Sequence, residues 1–200
     1  MSSPQTGTPS GVVYNYTWNQ SNGPGDITYN WNTGKLWVMN INTGVSNCIY
    51  EMDPATGFTG NTICPGGSTG FTTSQRGLAY DPATDTYLAG SWNDQTVYRF
   101  APDGTILEQV VVGLDISGLA YNPDTMHLFA MVNASPNPVY VLDAANNYAT
   151  VGQFNISQDF GDFSGSGDFD CDGNLWAADQ VTAQVFGCRS GRLVSFLWWN

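Results

Sequence analysis

The sequence predicts an all-β chain built from a repeated four-stranded unit. Turn-forming residues are frequent, with glycine and proline together supplying 33 of the 200 positions (23 and 10). No stretch combines Leu, Ala, Glu and Lys at helical spacing. A short motif also recurs at intervals of 40 to 50 residues, which indicates a repeat architecture.

The motif predicts the first strand of each unit. Residues 76–82 (RGLAYDP) recur forty-one positions later as residues 117–123 (SGLAYNP). Residues 25–30 have the same form, and residues 165–170 are a more divergent copy. The aromatic anchors Tyr29, Tyr80, Tyr121 and Phe169 are separated by 51, 41 and 48 positions.

Further strands follow each anchor. Wholly apolar runs at 36–39, 87–90, 128–131 and 175–178 are too short for helices and are typical of strands buried on both faces. A third strand is predicted at 49–52, 97–100, 139–142 and 185–188, and hairpin-type turns follow it at 53–57 and 101–104. A fourth strand is clearest at 105–112.

Units of this length with four antiparallel strands are typical of the blades of a β-propeller. The alternative is a β-sandwich, which also has closely spaced short strands but has no reason to repeat one anchor. We therefore expect a single propeller domain of about four blades. Its predicted parts are an N-terminal segment with an extra strand (1–24) and blades at 25–66, 67–113, 114–160 and 161–200.

Residues 25–188 resemble the broad superfamily of NHL, YVTN and SMP-30-like propellers, especially secreted bacterial ones. The resemblance rests on the repeated anchor and on residues 170–176 (DCDGNLW), which are similar to a turn common in such blades. Propellers of this superfamily usually close with six or seven blades. An open arc of four would expose apolar blade faces, which favours association.

Two ways of closing the ring remain open. One is a homodimer whose two arcs complete an eight-bladed ring, which we favour, and the other is a closed four-bladed ring. Residues 10–18 form a strand outside the complete units, and the tail from Gly187 departs from the repeat. We expect this tail to pack in an assembly interface.

Charge limits the partners. The chain has 17 acidic and 5 basic residues, a net charge of −12, and only 11% charged residues against about 25% in a typical globular protein. Nucleic acid and anionic membranes are excluded as partners, because both require clustered Lys and Arg. No apolar run is long enough to span a membrane, and residues 1–10 show no signal peptide.

Four cysteines are compatible with two disulfides and a secreted or periplasmic origin. Antiparallel pairing about the turn near Ala55 places Cys48 opposite position 63 or 64, which predicts a Cys48–Cys64 disulfide. A bond between Cys171 and Cys188 is open, since Cys188 also fits as a core residue.

The acidic and amide side chains are the candidates for a site. The single histidine, His127, is interpreted as a polar residue at the start of a strand, and it excludes a three-histidine zinc site. Asp170, Asp172 and Asn174 have part of the spacing of a calcium loop, but a plain hairpin explains them better. Where first strands begin and second strands end, carboxylates and amides are expected to surround the channel mouth and suit Ca²⁺.

The resemblance implies a metal-dependent hydrolase of lactones, esters or phosphotriesters. It implies Ca²⁺ held by Asp26, Asn93, Asn133 and Asp179, with Asp168 and Asp179 as catalytic residues. Substrate contacts are expected from Arg76, Trp92 and Asp94. The alternative is a non-catalytic secreted module that uses rim aromatics such as Trp31 and Trp92 to bind a glycan or a protein, since fold does not determine function.

Overall fold

The computed structural model describes residues 23–41, 47–135, 137–156, 164–170, 172–179 and 184–189. These residues form four antiparallel sheets, which we call blades 1 to 4. Blade 1 contains β1 (Pro24–Asn30), β2 (Lys35–Asn40), β3 (Ile49–Asp53) and β4 (Gly57–Ile63). Blade 2 contains β5 (Gly77–Asp81), β6 (Thr86–Gly90), β7 (Thr96–Phe100) and β8 (Ile106–Val111).

Blade 3 contains β9 (Ile116–Asn122), β10 (His127–Val132), β11 (Pro138–Asp143) and β12 (Ala149–Asn155). The described strands of blade 4 are β13 (Ser164–Phe169), β14 (Asn174–Asp179) and β15 (Gln184–Arg189). Strands lie in chain order within each blade, so every connection joins neighbouring strands. The predicted all-β class is confirmed, and the described residues contain no helix.

The burial of each strand follows its place in the blade. Every residue of β5, β6 and β9 is buried, which is why their sequences are apolar or small at successive positions. The outer strands β8 and β12 instead alternate between partly buried and exposed residues. Within blade 2, Tyr80 pairs with Tyr87, and Tyr87 pairs with Phe100.

The core consists of side chains packed between consecutive blades. One cluster joins blades 1 and 2 through Trp37, Met39 and Tyr87 among others. A second joins blades 2 and 3, and a third joins blades 3 and 4, where Phe129 packs edge-on against Phe169 with ring centroids 5.0 Å apart. Blades therefore stack face to face, as in a propeller.

The ring closes within one chain. The innermost strands contact one another in a cycle, β1 with β5, β5 with β9, β9 with β13, and β13 with β1. The closed four-bladed ring, which the sequence left as the alternative, is therefore the arrangement of the described strands. A second copy is not needed to bring the last blade against the first, contrary to the homodimer that we favoured.

The Cys48–Cys64 disulfide is confirmed, with a Cα–Cα distance of 4.4 Å. It joins the start of β3 to the residue after β4, so it fastens the outer edge of blade 1. Such a bond indicates an oxidising environment. The predicted strand at 10–18, the tail from residue 190 onward and the Cys171–Cys188 pairing lie outside the described residues.

In the described part of the chain, no helix is long and apolar enough to cross a membrane.

Candidate functional site

The inner strands converge on one carboxylate. In each blade, the residue two positions before the anchor directs its backbone N–H at the side chain of Asp26. The anchors are Tyr29, Tyr80, Tyr121 and Phe169. The four donors are Ile27 (3.0 Å), Leu78 (3.0 Å), Leu119 (2.8 Å) and Gly167 (3.3 Å). The Ser166 hydroxyl also donates to Asp26. Every blade thus contributes one equivalent N–H to the same acceptor.

Asp26 is completely buried. Burial raises the pKa of its carboxyl to about 8, although the hydrogen bonds from Leu119, Ser166 and Leu78 oppose this shift and favour the ionised form. A nearby carboxylate, Asp168, adds to the increase. Because the inner edge of each blade has no further strand to pair with, Asp26 supplies the acceptor that these N–H groups would otherwise lack.

Glycine at the positions equivalent to Asp26 allows the inner strands to approach. A Cβ on Gly77 would lie 2.7 Å from the side chain of Leu119, and one on Gly118 would lie 2.9 Å from the Cα of Ser166. Such distances are too short for a real side chain. One blade therefore carries the axial carboxylate, while blades 2 and 3 leave room for it.

Asp168 lies at the contact between blades 4 and 1. Its carboxylate accepts hydrogen bonds from the Thr28 hydroxyl and the Tyr29 N–H, both at 3.2 Å, and from the Phe169 N–H at 2.9 Å. Burial raises the pKa of Asp168 to about 6 in spite of these donors. Asp168 and Asp26 together fasten the last blade to the first.

The second candidate region is the face of the ring at which β1, β5, β9 and β13 begin, which we call the upper face. Two loops of blade 2 meet there, one before β5 and one between β6 and β7. The Arg76 guanidinium carbon lies 3.5 Å from the centroid of the Trp92 ring, a cation–π stack. The Asn93 amide donates to the Ser74 carbonyl at 3.2 Å and joins the same two loops.

The backbone of Arg76 is held from both sides. Its N–H donates to the Gly90 carbonyl at 2.8 Å, and its carbonyl accepts the Asp26 N–H at 3.0 Å. The guanidinium is therefore built on the rigid inner part of the ring. This attachment also connects the upper-face region directly to the axial carboxylate.

Several buried polar atoms near Arg76 have no hydrogen-bond partner in the described part of the chain. Four lie in the two loops of blade 2, namely Ser74 Oγ, Gln75 Oε1, Arg76 Nε and Asp94 Oδ1. The other oxygen of Asp94 accepts from Gln75 Nε2 at 3.2 Å and from the Tyr98 hydroxyl at 2.9 Å. Unpartnered buried polar groups are costly, so these four atoms mark the two loops as a place where water or a ligand supplies the missing partners.

The expected calcium ligands are distributed over different surroundings. Asn93 belongs to the blade 2 loop, and Asn133 follows β10, where its N–H donates to the Asp115 carbonyl at 3.0 Å. The side chain of Asp179 lies outside the described residues. Among the described residues, no three His, Cys, Asp or Glu side chains are grouped so that they could hold a metal ion.

The hairpin interpretation of residues 170–174 agrees with the structure. The Asp170 carboxylate accepts from the N–H of Asp172 at 2.9 Å, from the N–H of Asn174 at 2.8 Å and from the Trp176 indole at 2.7 Å. His127 is the first residue of β10, at the strand start where the repeat placed it.

Two features of the site were not predicted from the sequence. Gln75 is completely buried and contacts Asp94, yet in the sequence it is one polar residue in a polar loop and carries no signal. Trp31 and Trp92 both look like rim aromatics, but Trp31 lies in the turn between β1 and β2, on the opposite face from Trp92. The repeat could have shown that the two tryptophans lie on opposite faces. Trp31 follows the anchor at the end of a first strand, whereas Trp92 follows a second strand, and antiparallel first and second strands end at opposite faces.

No known family matches the chain, and no curated protein matches it. Among solved structures, it is similar to a chain in the crystal structure of a nidogen/laminin complex, with 17% identity and a TM-score of 0.56. That similarity covers 84% of this chain and 59% of the other. It is also similar to U3-55K, with 14% identity, a TM-score of 0.51, and coverage of 84% of this chain and 52% of the other.

The chain thus spans little more than half the length of either solved chain. At these identities the likeness concerns the fold alone, and it supports a β-propeller-like architecture.

Proposed function

We propose that the protein is a non-catalytic binding propeller that holds a glycan at the upper face, against the Arg76–Trp92 pair. The observation that carries this proposal is the cation–π stack surrounded by buried polar atoms without partners. A ligand rich in hydroxyl groups suits such atoms, because a hydroxyl can both donate and accept a hydrogen bond. An aromatic ring beside them offers an apolar surface to a sugar.

The position of the pair on the fold supports a binding role. Loops on one face of a rigid scaffold are where binding residues concentrate, and both strands that flank the Trp92 loop belong to the buried sheet of blade 2. One similar solved structure is described as a nidogen/laminin complex, so a protein of similar fold takes part in a binding assembly. The disulfide supports a secreted or periplasmic location, where glycans are accessible.

The proposal can be tested on an array of immobilised oligosaccharides. We expect Trp92→Ala to lose binding, because the ring that supports Arg76 is removed. Trp31→Ala is the matched control, since Trp31 is 43% exposed and lies on the opposite face. Equal loss in both variants would argue against this site, and an array with no bound glycan would reject the glycan in favour of a protein ligand.

A hydrolase is the second candidate, and Asp168 is the observation that favours it. Its pKa of about 6 suits a general base near neutral pH. Calcium at Asp26 is less suited to the geometry, because four N–H groups already occupy the acceptor positions of that carboxylate and their positive ends repel a cation.

The two candidates are separated by turnover of lactone, aryl ester and phosphotriester substrates, with and without a chelator. Turnover would establish the hydrolase, a fall in activity in an Asp168→Asn variant that circular dichroism shows to be folded would assign Asp168 to it, and a fall with chelator would establish its metal. If the protein binds glycans and turns over none of these substrates, the non-catalytic binding module is the candidate that stands.

A further inference from the structure

We infer that the glycan bound at the upper face carries an anionic group, a carboxylate or a sulfate, which pairs with the guanidinium of Arg76. This inference rests on the proposed function and names the chemical class of its ligand. It is carried by what Arg76 contacts and by what it does not contact.

Arg76 differs from the other cations whose side chains the structure describes. Lys35 forms an ion pair with Asp53. Arg99 pairs with Asp81 at 2.8 Å and also donates to Thr86 at 2.8 Å. Within the same part of the chain, Arg76 has no acidic partner, although the protein carries 17 acidic residues. A cation without an acidic partner among the described residues stands out in a chain with this acidic excess.

The acid nearest in the local sequence is already engaged. Asp94 follows Trp92 by two positions, but it accepts from the neutral donors Gln75 and Tyr98 rather than from Arg76. These contacts hold the Asp94 carboxylate without neutralising Arg76. No acidic side chain among the described residues pairs with the guanidinium, so this group suits a negative group supplied by a ligand.

The stack also orients the guanidinium. A guanidinium group is planar, and its N–H donors lie in that plane as a fork that matches the two oxygens of a carboxylate or a sulfate. The guanidinium carbon lies 3.5 Å from the centroid of the Trp92 ring, so the ring covers one side of the group and leaves the other side for a ligand. Burial lowers the pKa of Arg76, and a bound anion would oppose that effect.

The surroundings favour an acidic sugar over a simple anion. Gln75 Oε1 and Asp94 Oδ1 are buried acceptors without donors in the described residues. A sulfate ion has only acceptor oxygens, so it would satisfy Arg76 and leave these two atoms unpaired. A sugar acid offers hydroxyl donors together with the negative group, and so it meets both requirements.

The test uses the full chain on an array of oligosaccharides in matched pairs, uronic acids beside their carboxyl-reduced forms and sulfated sugars beside their desulfated forms. We expect at least tenfold tighter binding to the anionic member of the recognised pair. We also expect Arg76→Gln to reduce that affinity to the level of the neutral member. Trp31→Ala is the control that keeps the preference, and circular dichroism verifies that each variant folds.

Each outcome has a distinct meaning. Preference for uronic acids or for sulfated sugars identifies the source of the negative charge. Equal binding of charged and neutral members, or a preference that survives Arg76→Gln, would overturn the inference while the glycan-binding function stands. If no glycan is bound, the proposed function itself fails, and the inference fails with it.

Discussion

The carboxylate of Asp26 acts at the one point where all four blades meet. The sequence marks Asp26 as a candidate because it precedes the first anchor, but its neighbours there are residues of its own blade. Its donors Leu78, Leu119 and Gly167 lie 52, 93 and 141 positions away, so their convergence depends on the closed ring. An acidic residue at a strand start was therefore predictable, and its structural role was not.

Replacing Asp26 is expected to destabilise the ring. Asp26→Gly leaves four backbone N–H groups and one hydroxyl without their acceptor, and we expect the free energy of unfolding to fall by at least about 3 kcal/mol. Asp26→Asn keeps one acceptor oxygen and should lose less. Urea denaturation at pH 7 measures both variants.

The matched control is Asp143→Ala. Asp143 accepts one N–H, from Ala145 at 3.0 Å, in an exposed hairpin turn, so its loss should cost no more than about 1 kcal/mol. A variant at position 26 that is as stable as this control would show that the axial carboxylate does not hold the blades together.

The same carboxyl makes stability depend on pH. The folded pKa of Asp26, about 8, and that of Asp168, about 6, both lie above the usual 3.8. The folded protein therefore retains protons that the unfolded chain has released, and this contribution is complete below pH 3.8 and is lost by about pH 8. We expect the free energy of unfolding to fall as the pH rises from 4 to 8, by about 1.4 kcal/mol per pH unit for each retained proton.

Two variants assign this dependence to residues. Asp26→Asn should abolish the decrease between pH 6 and 8 and halve the slope between pH 4 and 6, whereas Asp168→Asn should halve the slope between pH 4 and 6 and leave the decrease between pH 6 and 8 in place. Urea midpoints across this range measure both. A decrease between pH 6 and 8 that persists in Asp26→Asn would place its origin in other groups.

At the scale of strands, the sequence was a good guide. The predicted second strands at 87–90 and 128–131 correspond to β6 (Thr86–Gly90) and β10 (His127–Val132). Such runs were recognisable because a strand between two others in a buried sheet has to be apolar on both faces. The inner strands, which contact other blades, have no such pattern. Their close contacts depend on glycines, and the need for glycine at these positions becomes clear only in the assembled ring.

Gly118 tests this contact between elements. A Cβ at this position would lie 2.9 Å from the Cα of Ser166, so Gly118→Ala forces β9 and β13 apart, and we expect a loss of about 2 to 3 kcal/mol. Gly152→Ala in β12 is the control, because its Cβ would meet Val141 at an ordinary 3.7 Å. Thermal unfolding of the pair measures the difference, and equal melting temperatures would mean that the inner strands are not tightly packed.

At the scale of the molecule, the number of repeats did not determine how they close. Four copies fit both an open arc and a ring, and the choice depends on whether β13 can reach β1. The structure makes that contact through Asp168, Thr28 and Tyr29. The repeat thus predicted the blades, while the residues that break the repeat, Asp26 and Asp168, determine the closure.

A ring closed within one chain needs no partner for its inner strands. We therefore expect multi-angle light scattering to give the mass of a single chain at micromolar concentration. A stable mass of two chains that persists on dilution would instead support the homodimer favoured from the sequence.

The axial carboxylate also has a consequence for how the chain folds during synthesis. Asp26 is among the first residues of the ring to leave the ribosome, and its donor Ser166 follows 140 positions later. Until blade 4 emerges, Asp26 lacks its donors Ser166 and Gly167, so the hydrogen bonds around this carboxylate cannot yet be complete. Blade 4 thus completes the hydrogen bonding of blade 1.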